Sequence, residues 1–165
     1  MPIDAAAAKG LVLLSDESPE VRRTLLLALA DRPEVLANDD VLPFLNDSDS
    51  QVRNTADMLL TGRGLSREQV SLATRATSPS PLTRAQAARQ ILQSTAMNRG
   101  VWLIHLSRDE AVPVRTEAVR ALAAVGDQDC LARLVEMAES DPESKGRQLS
   151  RDLASQNPRA APGSP

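Results

Sequence analysis

Aromatic residues are almost missing from this chain of 165 residues, which has one tryptophan, one phenylalanine and no tyrosine. Aromatic and β-branched side chains are enriched in strands, whereas alanine and leucine favour helices. Because 42% of the residues are nevertheless hydrophobic, alanine and leucine supply most of the core. The composition therefore predicts an all-α protein.

Cysteine is equally scarce, since Cys130 stands alone. A single cysteine excludes an internal disulfide and suits a reducing compartment, so we expect a cytoplasmic location. No apolar run reaches membrane-spanning length, and the N-terminal segment lacks the basic start of a signal peptide, so we expect no membrane partner. The formal net charge of −3 at pH 7 by itself indicates neither nucleic-acid nor membrane binding.

What the chain does contain is a repeat, marked by four equally spaced arginines that we call the ladder arginines: Arg22, Arg53, Arg84 and Arg115. Apolar residues recur three and seven positions after each arginine, and positions four apart share one face of a helix. These two columns are Leu25, Ala56, Ala87, Ala118 and Leu149, and Leu29, Leu60, Ile91, Leu122 and Leu153. A fifth copy has Gly146 at the arginine position, so we interpret it as an atypical terminal repeat.

A second apolar pattern precedes each of these helices, and segments rich in Asp, Ser, Pro and Gly separate them. Each repeat is therefore a pair of helices that is too small to bury its own apolar stripe. A four-helix bundle could use such helices, but it would not require identical spacing. We predict a right-handed α-solenoid of five pairs, over residues 3–31, 34–62, 65–95, 98–125 and 128–156, with a disordered tail over 157–165.

The repeated pattern resembles the HEAT repeat: aspartate in a turn, then x-Val-Arg, then alanine and leucine three and seven residues later. The short unit is most similar to the bacterial, phycobilisome-lyase-type HEAT-like repeats. This resemblance covers residues 3–156 and implies a scaffold or adaptor, although some members of the family handle bilins or damaged DNA bases. In the third unit Ser78 replaces the aspartate and Thr83 replaces the valine, so we expect that unit to be distorted.

An aspartate precedes three ladder arginines by six residues, in the pairs Asp16–Arg22, Asp47–Arg53 and Asp109–Arg115. A carboxylate in the turn before a helix can accept helix N–H groups. The arginine can reach that carboxylate or the one in the adjacent repeat. We predict a structural ladder, which includes Arg84, of half-exposed ion pairs that each contribute at most about 1 kcal/mol. A partner-binding role for these arginines is the alternative.

The sequence contains no recognisable catalytic constellation. His105 lies in a mixed repeat column that is typical of a surface, and a histidine without a positioned cysteine or serine is weak evidence for acid–base catalysis. His105 and Cys130 cannot complete a conventional four-ligand zinc site, and there is no Gly-rich phosphate loop. We therefore expect no enzyme activity, no cofactor and no metal.

The best candidate for a binding surface is the column five residues after the ladder arginines. It consists of Leu27, Met58, Arg89, Arg120 and Arg151. On the second helices of the pairs it would line a groove that is apolar at one end and basic at the other, which predicts a protein or peptide partner with an apolar and an acidic end. A solvated face is the alternative.

Trp102 also stands out, because its repeat column is otherwise polar. The ring is either a surface anchor, since tryptophan is enriched at binding hot spots, or it packs over the neighbouring first helix. A bilin lyase or isomerase subunit would need an aromatic pocket, for which the chain offers Trp102 and Phe44. A DNA-base-binding protein would need a denser basic groove. We therefore favour a non-catalytic protein-interaction scaffold and do not expect nucleic-acid binding.

Overall fold

The computed structural model describes residues 14–157. Within this range every regular element is helical, with nine α-helices, one 3-10 helix and no strand. The prediction of an all-α fold is therefore confirmed. The first helix predicted within residues 3–31 falls largely outside the described residues, and so does the tail predicted for 157–165 beyond its first residue.

Two compact units divide the chain, Met1–Thr77 and Ser78–Pro165. The helices described in the first unit are α1 (Pro19–Ala28), α2 (Asn38–Val41), a 3-10 helix (Leu42–Asn46), α3 (Ser50–Gly62) and α4 (Arg67–Ala76). Those in the second unit are α5 (Pro81–Gln93), α6 (Arg99–Leu106), α7 (Val112–Val125), α8 (Gln128–Ser140) and α9 (Ser144–Ser155). Odd-numbered helices are the second helices of the repeats, and the others are first helices.

Helices stack in two layers within each unit. In the first unit α1 packs on α3, and the 3-10 helix packs on α4. In the second unit α7 lies against both α5 and α9, while α6 packs beside α8 in the other layer. Each second helix therefore contacts the second helix of the adjacent repeat in its unit, which is the side-by-side packing of an α-solenoid.

The repeated apolar columns form the interior of this packing. Leu60, Ile91 and Leu122 are fully buried, and so are the alanines at the smaller column, Ala56 and Ala87. Small side chains at that column let neighbouring second helices approach closely while the leucines fill the space between the layers. The predicted stripe is confirmed for these positions.

Within residues 14–157 a repeated hydrogen-bonded turn precedes each second helix. In the fourth repeat the Asp109 carboxylate accepts the Ala111 N–H at 2.8 Å. Arg115 Nη1 donates to the backbone oxygens of Asp109 and Glu110 at 2.9 and 2.8 Å. The same contacts recur in the turns that carry Asp16 with Arg22 and Asp47 with Arg53. The arginine thus fixes the turn through backbone atoms.

The other edge of the guanidinium reaches the next repeat. Nε and Nη2 of three ladder arginines donate to a carboxylate in the following turn, at 2.6 to 3.4 Å, in the pairs Arg22–Asp47, Arg84–Asp109 and Arg115–Asp141. Of the two partners that the sequence allowed, the carboxylate of the adjacent repeat is the observed one. Burial alone would raise the pKa of Asp109, but hydrogen bonds from Arg84 and the Ala111 N–H hold that pKa below its usual value.

The expectation that these pairs are half exposed is wrong. The side chains of Arg84 and Asp109 are each 11% exposed, and those of Arg115 and Asp141 are 9% and 2% exposed. Two charges this far from water interact strongly, and removing one leaves the other buried without a partner. The ladder pairs are therefore largely shielded from water, and Arg115 and Asp141 are buried.

The third repeat keeps the same turn, so the expected distortion is also wrong. Arg84 Nη1 donates to the Ser78 carbonyl at 2.8 Å, and the Ser78 hydroxyl accepts the Ser80 N–H at 3.2 Å. The turn survives because it uses a backbone carbonyl that every residue has. Serine cannot replace the carboxylate, however: Ser78 stands at the position where Arg53 would find its partner, and Arg53 forms no ion pair within the described chain.

The last repeat is one residue longer than the others. Arg147 Nη1 donates to the carbonyls of Asp141 and Pro142 at 2.6 and 3.2 Å, which are the turn contacts of a ladder arginine. Asp141 stands one position later than the regular period after Asp109 would place it, and the additional residue falls near the end of α8. The interpretation of Gly146 as the lost arginine is therefore wrong.

Gly146 instead stands where the turn of the last repeat leaves no room for a side chain. A Cβ atom there would lie 2.5 Å from Asp141 Oδ1 and 2.6 Å from its Cγ. The Asp141 carboxylate cannot retreat easily, because Arg115 and the Glu143 N–H both bind it. Glycine at this position lets the last rung of the ladder form.

Arg63 is a further structural arginine that the repeat pattern does not predict. Its Nη2 donates to the carbonyls of Leu29 and Ala30 at 3.2 and 2.8 Å, and its Nη1 donates to that of Leu36 at 2.7 Å. It therefore holds the end of α1 and the segment that follows. One period earlier the chain has Arg32, whose Nε instead donates to Glu34 at 3.2 Å, and one period later it has Ser94. The repeat column therefore does not indicate this role.

Gly146→Ala should destabilise the protein by about 1–3 kcal/mol, because the new methyl group meets a carboxylate that is held in place. Gly62→Ala is the matched control: it is also helical, and nothing lies within 4 Å of its Cβ position. The control should be neutral or slightly stabilising, since alanine is the better helix former. Urea unfolding of both variants tests this, and an equal effect of the two changes would contradict it.

Arg115→Ala should cost more stability than Arg53→Ala. The first change strands the buried Asp141 carboxylate, which we expect to cost about 3 kcal/mol or more. The second removes hydrogen bonds to two turn carbonyls and no ion pair, for about 1–2 kcal/mol. The free energies of unfolding from denaturant titrations followed by circular dichroism decide the matter, and a larger loss in Arg53→Ala would be the contrary result.

Candidate partner-binding surfaces

The apolar half of the predicted binding column lies in the first unit. Leu27 on α1 and Met58 on α3 are 54% and 74% exposed, and the two helices pack side by side. Exposed large apolar residues on neighbouring helices leave apolar surface in contact with water, and such surface often marks a contact site. Both side chains are exposed, as the sequence predicted.

A cavity of about 590 Å³ lies beside Met58, open to solvent between α3 and α4. Its lining residues are Asp57, Met58 and Thr61 from α3 and Arg67, Val70, Ser71 and Thr74 from α4. The residues of α4 recur every three or four positions and therefore share one helix face. Sequence reasoning missed this cavity, because it depends on the space that small side chains leave open.

The basic half of the column lies in the second unit, and a carboxylate divides it. Arg89 on α5 and Arg120 on α7 are 66% and 57% exposed, and both bind Glu117 of α7. Arg89 donates from Nε and Nη2 at 2.7 Å each, and Arg120 donates from Nη1 at 2.9 Å. The hydrogen bonds from Arg89 lower the pKa of Glu117. The two arginines thus carry one net positive charge with Glu117.

Arg151 does not share the repeat position of Arg89 and Arg120. Because the last repeat is one residue longer, position 152 stands five residues after Arg147. That residue is Asp152, whose carboxylate accepts a hydrogen bond from Gln148 at 2.7 Å. Arg151 is exposed on α9, but the column of basic residues consists of Arg89 and Arg120.

Trp102 is half buried on α6, and its ring contacts the exposed His105 edge to face, with ring centroids 6.4 Å apart and planes 73° apart. The imidazole covers part of the indole ring, and another part of the ring remains exposed to water. The exposure of His105 agrees with its mixed repeat column.

A second cavity, of about 410 Å³, lies at the turn edge of the second unit. Its walls include the ladder residues Asp109, Arg115 and Asp141, of which Arg115 and Asp141 bind one another. Arg133 also lines it and donates to the Ser107 hydroxyl at 2.7 Å. This cavity therefore lies beside side chains that the fold itself uses.

The thiol of Cys130 is buried, and burial, together with a hydrogen bond to Asp127, raises its pKa to about 12. A thiol held in this state is a poor nucleophile. Among residues 14–157, no group of three or more His, Cys, Asp or Glu side chains is arranged to hold a metal ion. No helix in this range is long and apolar enough to cross a membrane.

Comparison with known proteins agrees with the repeat geometry. The family described as HEAT repeats matches residues 69–153, which include the ladder turns of Arg84, Arg115 and Arg147. No curated protein matches the chain. The paired helices, the turn arginines and this match over half of the sequence lead to one conclusion: the chain belongs to the HEAT-repeat family.

Proposed function

We propose that this chain is a protein-interaction module without catalytic activity, and that it binds a partner segment through the exposed faces of its second helices. HEAT repeats generally mediate binding between proteins. The exposure of Leu27 and Met58 carries the proposal for this chain. These side chains are large, apolar and exposed to water. They belong neither to the buried stripe nor to the ladder, so the fold does not need them at these positions.

The first unit offers the apolar contact. Burying a leucine or methionine side chain that is otherwise exposed contributes about 1.5–3 kcal/mol, so two such residues supply a useful part of the affinity. Methionine is unbranched and flexible, which lets it fit side chains of different shape. The apolar end of a partner segment is expected here.

The second unit offers basic donors for the acidic end of the partner. Glu117 uses Nε and Nη2 of Arg89 and Nη1 of Arg120, so Nη1 of Arg89 and the two other nitrogens of Arg120 remain for a partner. Glu117 also holds the two guanidinium groups in place, and this lowers the entropy cost of binding a further carboxylate. A partner carboxylate would meet oriented donors, with charge chiefly steering its approach.

The proposal also includes the assignment to the phycobilisome-lyase-type HEAT-like repeats. Similarity to phycobilisome-lyase-type repeats rests on the short unit, and it would make a bilin-handling subunit the alternative function. Visible absorbance during titration with a linear tetrapyrrole separates the two functions. A bacterial, cytoplasmic setting is proposed on the same resemblance and on the single, buried cysteine.

The double change Arg89→Glu and Arg120→Glu should weaken partner binding at least tenfold at low salt and reverse its salt dependence, because it replaces two donors by acids. Arg99→Glu with Arg108→Glu is the matched control, since it makes the same charge change at exposed positions of the same unit. The partner is first identified by cross-linking and mass spectrometry.

Calorimetric titration of that partner against wild type, variant and control at two salt concentrations gives the answer. The control should bind within about twofold of wild type if the charges at Arg89 and Arg120, and not the net charge of the unit, determine the affinity. Equal affinities of all three proteins would show that Arg89 and Arg120 form a solvated face and would remove the second unit from the proposed binding surface.

A further inference from the structure

We propose that the cavity between α3 and α4 receives one bulky apolar side chain of the partner, and that this side chain is flanked in the partner by one acidic and one basic residue. This inference rests on the proposed function and names the anchor of the apolar end. Three features of the first unit support it: an open volume, an apolar wall and two opposite charges at the rim.

The open volume arises at Ser71. The following two repeats carry large side chains at this repeat position, Trp102 and then Arg133. Trp102 is half buried there, and Arg133 reaches back to the turn of the preceding repeat, where it donates to the Ser107 hydroxyl. A serine leaves this place unfilled in the first unit, and the cavity beside it measures about 590 Å³. The cavity is therefore open at the position where the following two repeats carry a large side chain.

The apolar wall consists of Met58 and Val70. Val70 is 4% exposed and belongs to the core, whereas Met58 is 74% exposed at the cavity mouth. A side chain that enters would contact the valine methyl groups and remove the methionine from water. Aromatic side chains gain most from such a contact, since they bury about 150–250 Å² each and thioethers interact favourably with ring edges.

The charges at the rim define the rest of the partner. Asp57 of α3 and Arg67 of α4 both line the cavity and are exposed. They form no ion pair with one another in the described chain: the Asp57 carboxylate accepts the Thr61 hydroxyl at 3.2 Å. A partner with charges of one sign only would be attracted by one of these two residues and repelled by the other. A segment with an acid for Arg67 and a base for Asp57 complements both.

Short blocked peptides test the inference on the full chain. The probes are acetyl-Glu-Trp-Lys-amide and its reverse, acetyl-Lys-Trp-Glu-amide. The matched controls are acetyl-Glu-Ala-Lys-amide, which lacks the ring, and acetyl-Gln-Trp-Gln-amide, which lacks the charges. Methionine methyl NMR supplies the readout, because Met58 lines the cavity while Met97 and Met137 are buried in the second unit.

At least one charged tryptophan peptide should shift the Met58 methyl signal saturably and leave those of Met97 and Met137 in place. The alanine peptide should bind at least tenfold more weakly, because it cannot bury a ring. The uncharged peptide should bind up to about fivefold more weakly, which is the range of exposed ion pairs. Equal binding of the alanine peptide, or no Met58 shift at the solubility limit, would overturn the inference.

Two protein variants complete the test. Ser71→Trp places in the cavity the residue that the next repeat carries, and it should abolish the Met58 shift while the circular dichroism spectrum stays that of wild type. Ser48→Trp adds the same ring at an exposed turn position of the same unit and should bind like wild type. Unchanged binding by Ser71→Trp would overturn the inference.

A Met58 shift that depends on protein concentration alone would mean that a second copy of the chain covers the cavity, which also overturns the inference. Failure of the peptides while the captured partner still depends on Arg89 and Arg120 would remove the anchor and leave the proposed function intact. Specific binding of the peptides without any captured partner would support the anchor and remove the support for the proposed function.

Discussion

The fold depends on a guanidinium group that is bound on two sides. In each complete rung Nη1 binds the carbonyls of its own turn, while Nε and Nη2 bind the carboxylate of the next repeat, as Arg84 does with Asp109. That carboxylate is fixed in turn by the N–H two residues later. One side chain therefore sets the turn, the start of the second helix and the distance to the neighbouring repeat. Arginine suits this place because its planar fork stays charged and presents five donors.

The sequence could predict the parts of this structure that depend on period. Columns of equally spaced residues predicted the helices and the buried stripe of Leu60, Ile91 and Leu122, because side-chain direction in a helix follows from its geometry. It could not predict Arg147, since one additional residue in a repeat shifts the register and the contact uses carbonyls that carry no sequence signal. The burial of the ladder and the position of Glu117 between Arg89 and Arg120 depend on distances between repeats, which a one-dimensional pattern does not contain.

The structural contacts and the proposed binding surfaces use different parts of each repeat. The ladder lies at the turns and the leucine stripe lies between the layers, so the exposed face of a second helix can change without loss of either. In the first unit that face carries Leu27, Met58 and an open cavity. In the second unit it carries Arg89 and Arg120 around Glu117. A scaffold held at its turns can in this way present different chemistry from one repeat to the next.

A double-mutant cycle on Arg84 and Asp109 tests the central role of the ladder most directly. The free energy of unfolding is measured for wild type, Arg84→Ala, Asp109→Ala and the double variant. A coupling energy above about 1 kcal/mol is expected, beyond the usual range of exposed pairs, because both side chains are 11% exposed and joined by two hydrogen bonds. Additive effects of the two single changes would contradict the account, since the guanidinium would then not join the repeats.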